Sequence, residues 1–597
     1  MAATESGNIP AAPDPAAVYA ALTEIFINAQ RALQAATVRA FTPAAPLPYD
    51  PIAPMRTLAQ FGMTLLTQPQ LLADAQMRAW QEWTTLWTSV ASRTAGKDAA
   101  PVVETPKGDR RFSDPAWSDA PYFDVVRQSY LLVGKQLSDL VAGARLDDKT
   151  RAELDFYLRQ FLNAVAPTNF IHTNPLVIRE TMSRGGVNLL NGFAKVLADV
   201  ADGKGLVRRH TAGGFEVGVT LATTPGAVIF ENELMQLIQY EPSTAKVAKR
   251  PILYVPPLVN KYYLLDLQPH TSLLKWLVDQ GHTVFVISWV NPDATLRDKG
   301  LDDYITGGTV AAIDAIEQAT GAGEVDLMGF CLGGTLSAIT LGYLAATKQE
   351  KRVGSATLIG TLLDFSELGE WSVFIDKGQM AAFNRYLETH GYVEAHDLER
   401  LFSLVRSNDL IWSSVVNHYL LDRETPPSDI LHWFGDGARI PEAFLAGYAK
   451  RVLMDNGLAK SGALTIKGAK IDLARVKTPV MVVSLKDDHV SGWAATYTGT
   501  KLFGGPVQFV LGGSGHNAGV INPPAANKHG YWINDALPES ADTWFEGASK
   551  KDGSWWPHWR SWMTEQGDQT PVPARKIGGG KLKPIEPAPG RYVRVRH

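Results

Sequence analysis

The sequence predicts an α/β chain: a mostly parallel, doubly wound sheet preceded by a separate helical region. Three observations carry that reading. Beyond about residue 202, short apolar and β-branched runs alternate with helical patterns, as successive strand–helix–strand units require. Those runs are continuously apolar between Gly, Pro or polar turns, the mark of strands buried on both faces. Before residue 202 the apolar periods are helical instead.

Taken in order, residues 1–50 are rich in Ala and Pro and read as loosely held around a helical stretch at 18–41. Over 70–87, Leu72, Ala75, Met77, Trp80, Trp83 and Trp87 recur at helical spacing. A face with three tryptophans reads first as packing and second as a surface for a hydrophobic partner. The Pro- and charge-rich stretch 96–115 reads as a linker or long loop, and further helices run to 202, where DGKG marks a break. Candidate strands follow at 252–255, 284–288, 325–328, 356–359, 480–484 and 508–511, with a helix at 309–320 among them. Residues 363–473 interrupt the alternation and read mainly helical, as an insertion covering the site. The tail after 563 is rich in Gly, Pro and Lys and reads as surface-wrapping or disordered.

Composition narrows the class. At 597 residues the chain has room for several domains. A net charge of −4 argues against a protein built to grip nucleic acid, which needs a concentrated basic excess. One cysteine, Cys331, excludes an intramolecular disulfide and any multi-cysteine zinc site. The start, MAATESGNIPAAPDPAA, lacks the basic and apolar regions of a signal peptide, so a cytoplasmic location is expected. Residues 327–347 are uncharged and about as long as a membrane span, but Gly329, Gly333 and Gly334 break a continuous helix. A buried strand, turn and helix fit that stretch better, and no transmembrane segment is expected.

The chemistry concentrates where the strands end. Gly329-Phe330-Cys331-Leu332-Gly333 has the form G-x-C-x-G, with an apolar run before it and a helix-compatible run after it. This is the setting of a nucleophile elbow, in which flanking glycines let a strained turn project the middle side chain at a helix N-terminus. A thiol there feels the positive end of the helix dipole and loses its proton more easily. The bland alternative is a small buried core cysteine. In the α/β-hydrolase arrangement an acid and then a histidine follow the nucleophile, each after a late strand. Asp487, Asp488 and His489 end one such strand, and His516 lies in the Gly-rich loop after the next. His516 would take the thiol proton while a carboxylate fixed its tautomer. Backbone N–H groups should stabilise the oxyanion: Leu332 directly after the nucleophile, and one from the loop after the 252–255 strand. Pro256 and Pro257 have no N–H to give, so Val259 is the candidate. The fold expected is therefore an α/β-hydrolase fold at 203–597, with a helical cap insertion at 363–473 and a separate helical domain at 1–202.

With these residues in hand, the chain resembles the polyhydroxyalkanoate synthases, specifically the single-subunit type called class I. The resemblance runs through DRRFSDPAWSDAPYF, PTNFIHTNPLVIRET, PPLVNKYYLLDL, GFCLGGT, NDLIW, DDHV, SGHNAGVINPP and GSWWPHW, over roughly residues 109 to 560. It implies Cys331 as nucleophile, Asp488 as acid, His516 as base and His489 near the substrate. It also implies a 3-hydroxyacyl-CoA substrate of short acyl chain, polyester as product, and coenzyme A as part of the substrate with no separate cofactor or metal. A homodimer on the surface of polymer granules follows from the same resemblance, with granule-associated proteins as possible partners. The sequence departs from the family pattern at Ser491-Gly492-Trp493, where a proline often precedes the tryptophan, and at Leu176, where an acidic residue is usual. Two other readings stand beside this one: a thiol-dependent hydrolase, such as a thioesterase or intracellular depolymerase, and a non-catalytic granule-coat protein.

Overall fold

The computed structural model describes residues 14–41, 46–95, 99–202, 213–567 and 570–596. Residues 1–13, and most of the break anticipated after 202, lie outside these. The chain divides into two compact units: residues 1–212 with 370–374 and 400–426, and residues 213–369 with 375–399 and 427–597. The insertion anticipated at 363–473 is thus shared between the two units.

The first unit is helical. Helices Pro15–Phe41, Ala53–Leu66, Pro69–Thr94, Pro121–Gly143, Asp148–Ala164, Pro175–Ser183 and Val187–Asp202 form it, together with the π-helical turns Asn408–Trp412 and Val415–Leu420. Asp422 receives Lys195 and Arg184, each at 2.7 Å, and Asn188 donates to the Leu420 carbonyl at 2.7 Å, which binds the 400–426 segment to the last of these helices. The stretch read as a linker is packed in its second half: Trp117 is buried edge-on to Phe112, with ring centroids 5.0 Å apart.

Helix Pro69–Thr94 differs from the first reading of its tryptophans. Trp80 is 75% and Trp87 56% exposed, whereas Leu86 is fully buried. Positions 72, 75, 79, 82 and 86 follow the inward stripe, and 77, 80, 84 and 87 follow the opposite one. The apolar set read from the sequence mixed Leu72 and Ala75 of the inward stripe with Met77, Trp80 and Trp87 of the outward one, and Trp83 is half-buried between them.

The second unit is built on an eleven-stranded sheet. Its strands are β1 Gly226–Glu231, β2 Met235–Tyr240, β3 Ile252–Val255, β4 Val284–Trp289, β5 Val325–Phe330, β6 Val353–Ile359, β7 Val480–Leu485, β8 Val507–Gly512, β9 Tyr531–Ile533, β10 Ser549–Lys551 and β11 Glu586–Pro587. All six anticipated strands are present and form the parallel centre in the order β4-β3-β5-β6-β7-β8. The hairpin β1–β2 extends one edge antiparallel, and β9 and β10 extend the other. β9, β10 and β11 are short and β2 is half-polar, so they lack the apolar run that marks the central strands, whereas β1 carries such a run at 227–230 and was not anticipated.

Alternate residues of the central strands enter opposite core layers, which is why their sequences are apolar throughout. Leu253, Val255, Leu327 and Leu358 pack on one face, and Ile252, Tyr254, Met328 and Phe330 on the other. The tail wraps the surface, as one of the two expectations had it. Its residue Val572 pairs with Val247, and β11 adds to the free edge of β1. The uncharged 327–347 stretch is β5, a turn and the buried helix Leu332–Ala346. Among the described residues no helix is long and apolar enough to cross a membrane.

These burials separate two kinds of tryptophan. Trp80→Gln with Trp87→Gln should leave the thermal midpoint within a few degrees of wild type, since exposed substitutions usually cost about 0.5 kcal/mol or less. Trp117→Ala, at 1% exposure, should cost about 3–5 kcal/mol. Calorimetry on the two variants checks both.

Candidate active site

Five loops leave the carboxyl ends of the parallel strands together, where ligands bind in sheets of this class. The registers Val255↔Gly329, Phe330↔Ile359 and Leu485↔Gly512 align the ends of β3, β5, β6, β7 and β8. The loops after β3, β5, β7 and β8 carry the candidate residues Val259, Cys331, Asp488 and His516.

Cys331 sits at the tip of the turn between β5 and helix Leu332–Ala346, with φ +53° and ψ −125°. A side chain rarely holds that conformation, and the cost persists where surroundings impose it. Its N–H donates to the Ile359 carbonyl at 2.8 Å, and its own carbonyl accepts from Gly334 N at 2.9 Å. The glycines answer to space. A β-carbon on Gly329 would lie 2.5 Å from Gly334 Cα, and one on Gly333 would lie 2.1 Å from the Val255 carbonyl oxygen. The elbow is thereby pressed against the start of the loop after β3, which contains Val259. Leu332 is the first residue of the helix, so its N–H is one of the four without an intrahelical acceptor.

His516 follows β8 and is buried. Its Nδ1 lies 2.6 Å from Asp488 Oδ2, and its ring lies close enough to Cys331 to feel the charge of the sulfur. The imidazole ring tilts over Phe330, with centroids 4.9 Å apart. Asp488, after β7, is nearly inaccessible; its other oxygen accepts from Val490 N at 2.8 Å and Ser491 N at 2.9 Å. These bonds fix the carboxylate so that it faces the histidine. Ser491 lies at the place where the sequence leaves the family pattern, yet its N–H serves Asp488 directly. Asp487, the neighbouring carboxylate, is exposed and contributes its backbone N–H to Ser514 O at 3.0 Å. His489 is exposed beside Asp488.

Burial pulls the His516 imidazolium down, but the charges of Asp488 and Cys331 and their hydrogen bonds outweigh it and push its pKa up to about 10.

Several contributors were not found by sequence reasoning. Tyr448 is buried and lies close enough to feel the Cys331 charge; burial foremost raises its pKa. Tyr254 is fully buried near the same charge. Trp555 and Trp556 donate their indole N–H groups to the carbonyls of Gly519 and Val520, each at 3.0 Å, anchoring the loop that carries His516. GSWWPHW was visible as a motif, but only its neighbours in space say what it holds. Among the described residues no cluster of His, Cys, Asp or Glu is arranged to hold a metal ion.

Sheet order, elbow and the acid-then-histidine succession define an α/β-hydrolase-fold protein, and an α/β-hydrolase-fold family model matches residues 264–523. Residues 108–277 match the model described as the poly-beta-hydroxybutyrate polymerase (PhaC) N-terminus. The chain is 43% identical to a poly(3-hydroxyalkanoate) polymerase of Methylorubrum extorquens, covering 91% of this chain and 90% of that one. It is 39% identical to the poly(3-hydroxyalkanoate) polymerase subunit PhaC of Cupriavidus necator, over 88% and 89%. The chain belongs to the poly(3-hydroxyalkanoate) polymerase family. Among solved structures it is similar to a thermophilic esterase from Thermogutta terrifontis (TM-score 0.28, 12% identity, 58% of this chain and 98% of that one). It is also similar to mouse alpha/beta hydrolase domain-containing protein 10 (TM-score 0.29, 15% identity, 49% and 93%).

The raised His516 pKa has a consequence for stability. A group that binds its proton more tightly folded than unfolded stabilises the fold fully below its unfolded value, near 6.5, and loses that contribution as pH rises through about 10. Wild type should lose stability between pH 7 and 10 more steeply than His516→Gln, as read by urea titration at each pH.

Proposed function

We propose that the chain polymerises 3-hydroxyacyl groups, releasing coenzyme A, through an acyl thioester on Cys331. The observation that carries this reading is the one thiol of the chain, held in a strained elbow beside a histidine that is in turn fixed by a buried carboxylate.

In the first half-reaction the Cys331 thiolate attacks the thioester carbonyl of the acyl-CoA. The N–H groups of Leu332 and Val259 donate to the oxyanion. The tetrahedral adduct collapses with loss of the CoA thiolate, which takes the proton from His516, and the acyl group remains on sulfur. In the second, the 3-hydroxyl of another unit attacks that thioester. His516 takes the hydroxyl proton, the oxygen ester forms and the Cys331 thiolate leaves. Asp488 holds His516 in the tautomer that presents Nε2 to both sulfur and hydroxyl. His489 contacts the acyl substrate.

A cysteine suits this sequence because the exchange of one thioester for another is nearly even in energy, so the enzyme-bound acyl group stays activated. A serine would hold it as a more stable ester. Exclusion of water decides between polymer and hydrolysis, and the helical insertion between β6 and β7 is the segment to which that task falls. The reaction needs no cofactor besides the coenzyme A that arrives with the substrate. The same reading places the enzyme in the cytoplasm on polymer granules, as a homodimer, with the exposed Trp80 and Trp87 stripe of the helical unit as a contact surface.

Product analysis with 3-hydroxybutyryl-CoA tests this. Insoluble polyester with free CoA is expected; monomeric acid with free CoA would assign a hydrolase. Cys331→Ala should abolish CoA release with the fold intact by circular dichroism, and Cys331→Ser should keep at most a trace. Specificity constants should fall from four-carbon to medium-chain thioesters.

A further inference from the structure

The loop after β3 is tied down along its length. Trp289, at the end of β4, donates its indole N–H to the Pro256 carbonyl at 3.0 Å. The Val259 carbonyl accepts from Ala438 N at 2.9 Å, and Asn260 bridges Gly437 as a one-residue antiparallel ladder. Trp433 donates its indole N–H to the Lys261 carbonyl at 2.7 Å. Between these backbone ties lies a charged cluster: Lys261 Nζ is 2.6 Å from Asp436 Oδ1, and Tyr263 donates its hydroxyl to Asp436 Oδ2 at 2.8 Å.

All three side chains are buried, Lys261 at 8%, Asp436 at 6% and Tyr263 at 0% exposure. An ion pair withdrawn from water regains little net energy, because each charge loses its hydration before it gains its partner. Apolar residues of the same volume would serve the core as well. What the pair supplies in addition is direction. A carboxylate that receives a lysine on one oxygen and a tyrosine hydroxyl on the other fixes residues 261 and 263 to one arrangement, two and four residues beyond Val259. Burial pulls the Lys261 ammonium below its ordinary range, and Asp436 offsets that, so loss of the carboxylate would leave a charge the site cannot keep.

We propose that Asp436, with Lys261 and Tyr263, is a positioning cluster that sets the Val259 N–H for the oxyanion and so makes acyl transfer depend on the 433–438 segment of the insertion. This rests on the reading of Val259 as an oxyanion donor and of Cys331 as the acyl acceptor. None of the three side chains bonds to Cys331, His516 or Asp488, so the cluster acts on the transition state through the loop and leaves the nucleophile alone.

The test compares wild type, Asp436→Asn and the double variant Lys261→Met with Asp436→Asn, reading kcat and KM for CoA release from 3-hydroxybutyryl-CoA. The rate of Cys331 alkylation by iodoacetamide, a reaction with no oxyanion, and the thermal midpoint are read on the same samples. Removing both charges should bring the midpoint back towards wild type relative to Asp436→Asn alone. In both variants kcat should stay about 10- to 100-fold down, the loss expected when a donor is displaced by about 1 Å, with KM and alkylation rate near wild type. A double variant with wild-type kcat would show the pair to be packing only and overturn the proposal. Alkylation falling in step with kcat would also overturn it, since the cluster would then be holding the thiol. A wild-type chain that is alkylated normally but releases no CoA would instead overturn the reading of the site on which the proposal rests.

Discussion

The site depends on how closely the β5 turn approaches the strands on either side of it. Where Gly333 meets the Val255 carbonyl and Gly334 meets Thr361, a β-carbon would lie 2.1 Å and 1.9 Å from its neighbours. Such contacts are closed to any other residue. The closeness puts the first N–H groups of helix Leu332–Ala346 beside the loop after β3, where a substrate carbonyl can be met from two directions. The strained backbone at Cys331 is held by ladder hydrogen bonds of β5 and β6 and by the Ile359 carbonyl, so the fold maintains the tip without help from the thiol.

Around that turn the polar groups form one connected arrangement in a dry setting. Asp488 spends one oxygen on two backbone N–H groups and the other on His516. The charge of Asp488 raises the proton affinity of the imidazole. The low dielectric that makes burial costly also strengthens each of these bonds. A thiol gives up its proton more readily than a hydroxyl in the same place would. In the proposed reaction that difference favours cysteine, whose acyl thioester stays activated between transfers.

The tryptophans divide by role in a way their abundance does not announce. Trp289 and Trp433 pin the loop after β3, and Trp555 and Trp556 pin the loop after His516, each through an indole N–H to a backbone carbonyl. Rigid, two-ended side chains suit this task, since the ring fills the core while the N–H fixes a loop. Trp80 and Trp87 do neither and face outward from their helix.

The six central strands, the elbow at Cys331 and the order of Asp488 and His516 were legible in the sequence because each depends on local pattern: apolar runs, paired glycines, a residue following a strand. The flanking strands were not, since β2, β9, β10 and β11 are half-polar or short and are defined by the partner they join. Periodicity could find the helix Pro69–Thr94 but could not say which of its two apolar stripes is buried, because that is settled by the neighbouring helices. Nor could it see that Lys261, Tyr263 and Asp436 meet, for the last two are 173 positions apart along the chain and nothing in either segment names the other. The sequence by itself determined the chemistry available and the strand ends that bear it. Tertiary structure alone decided which buried charges pair, which loops are pinned and where the donors point, because those depend on distances between segments that are remote along the chain.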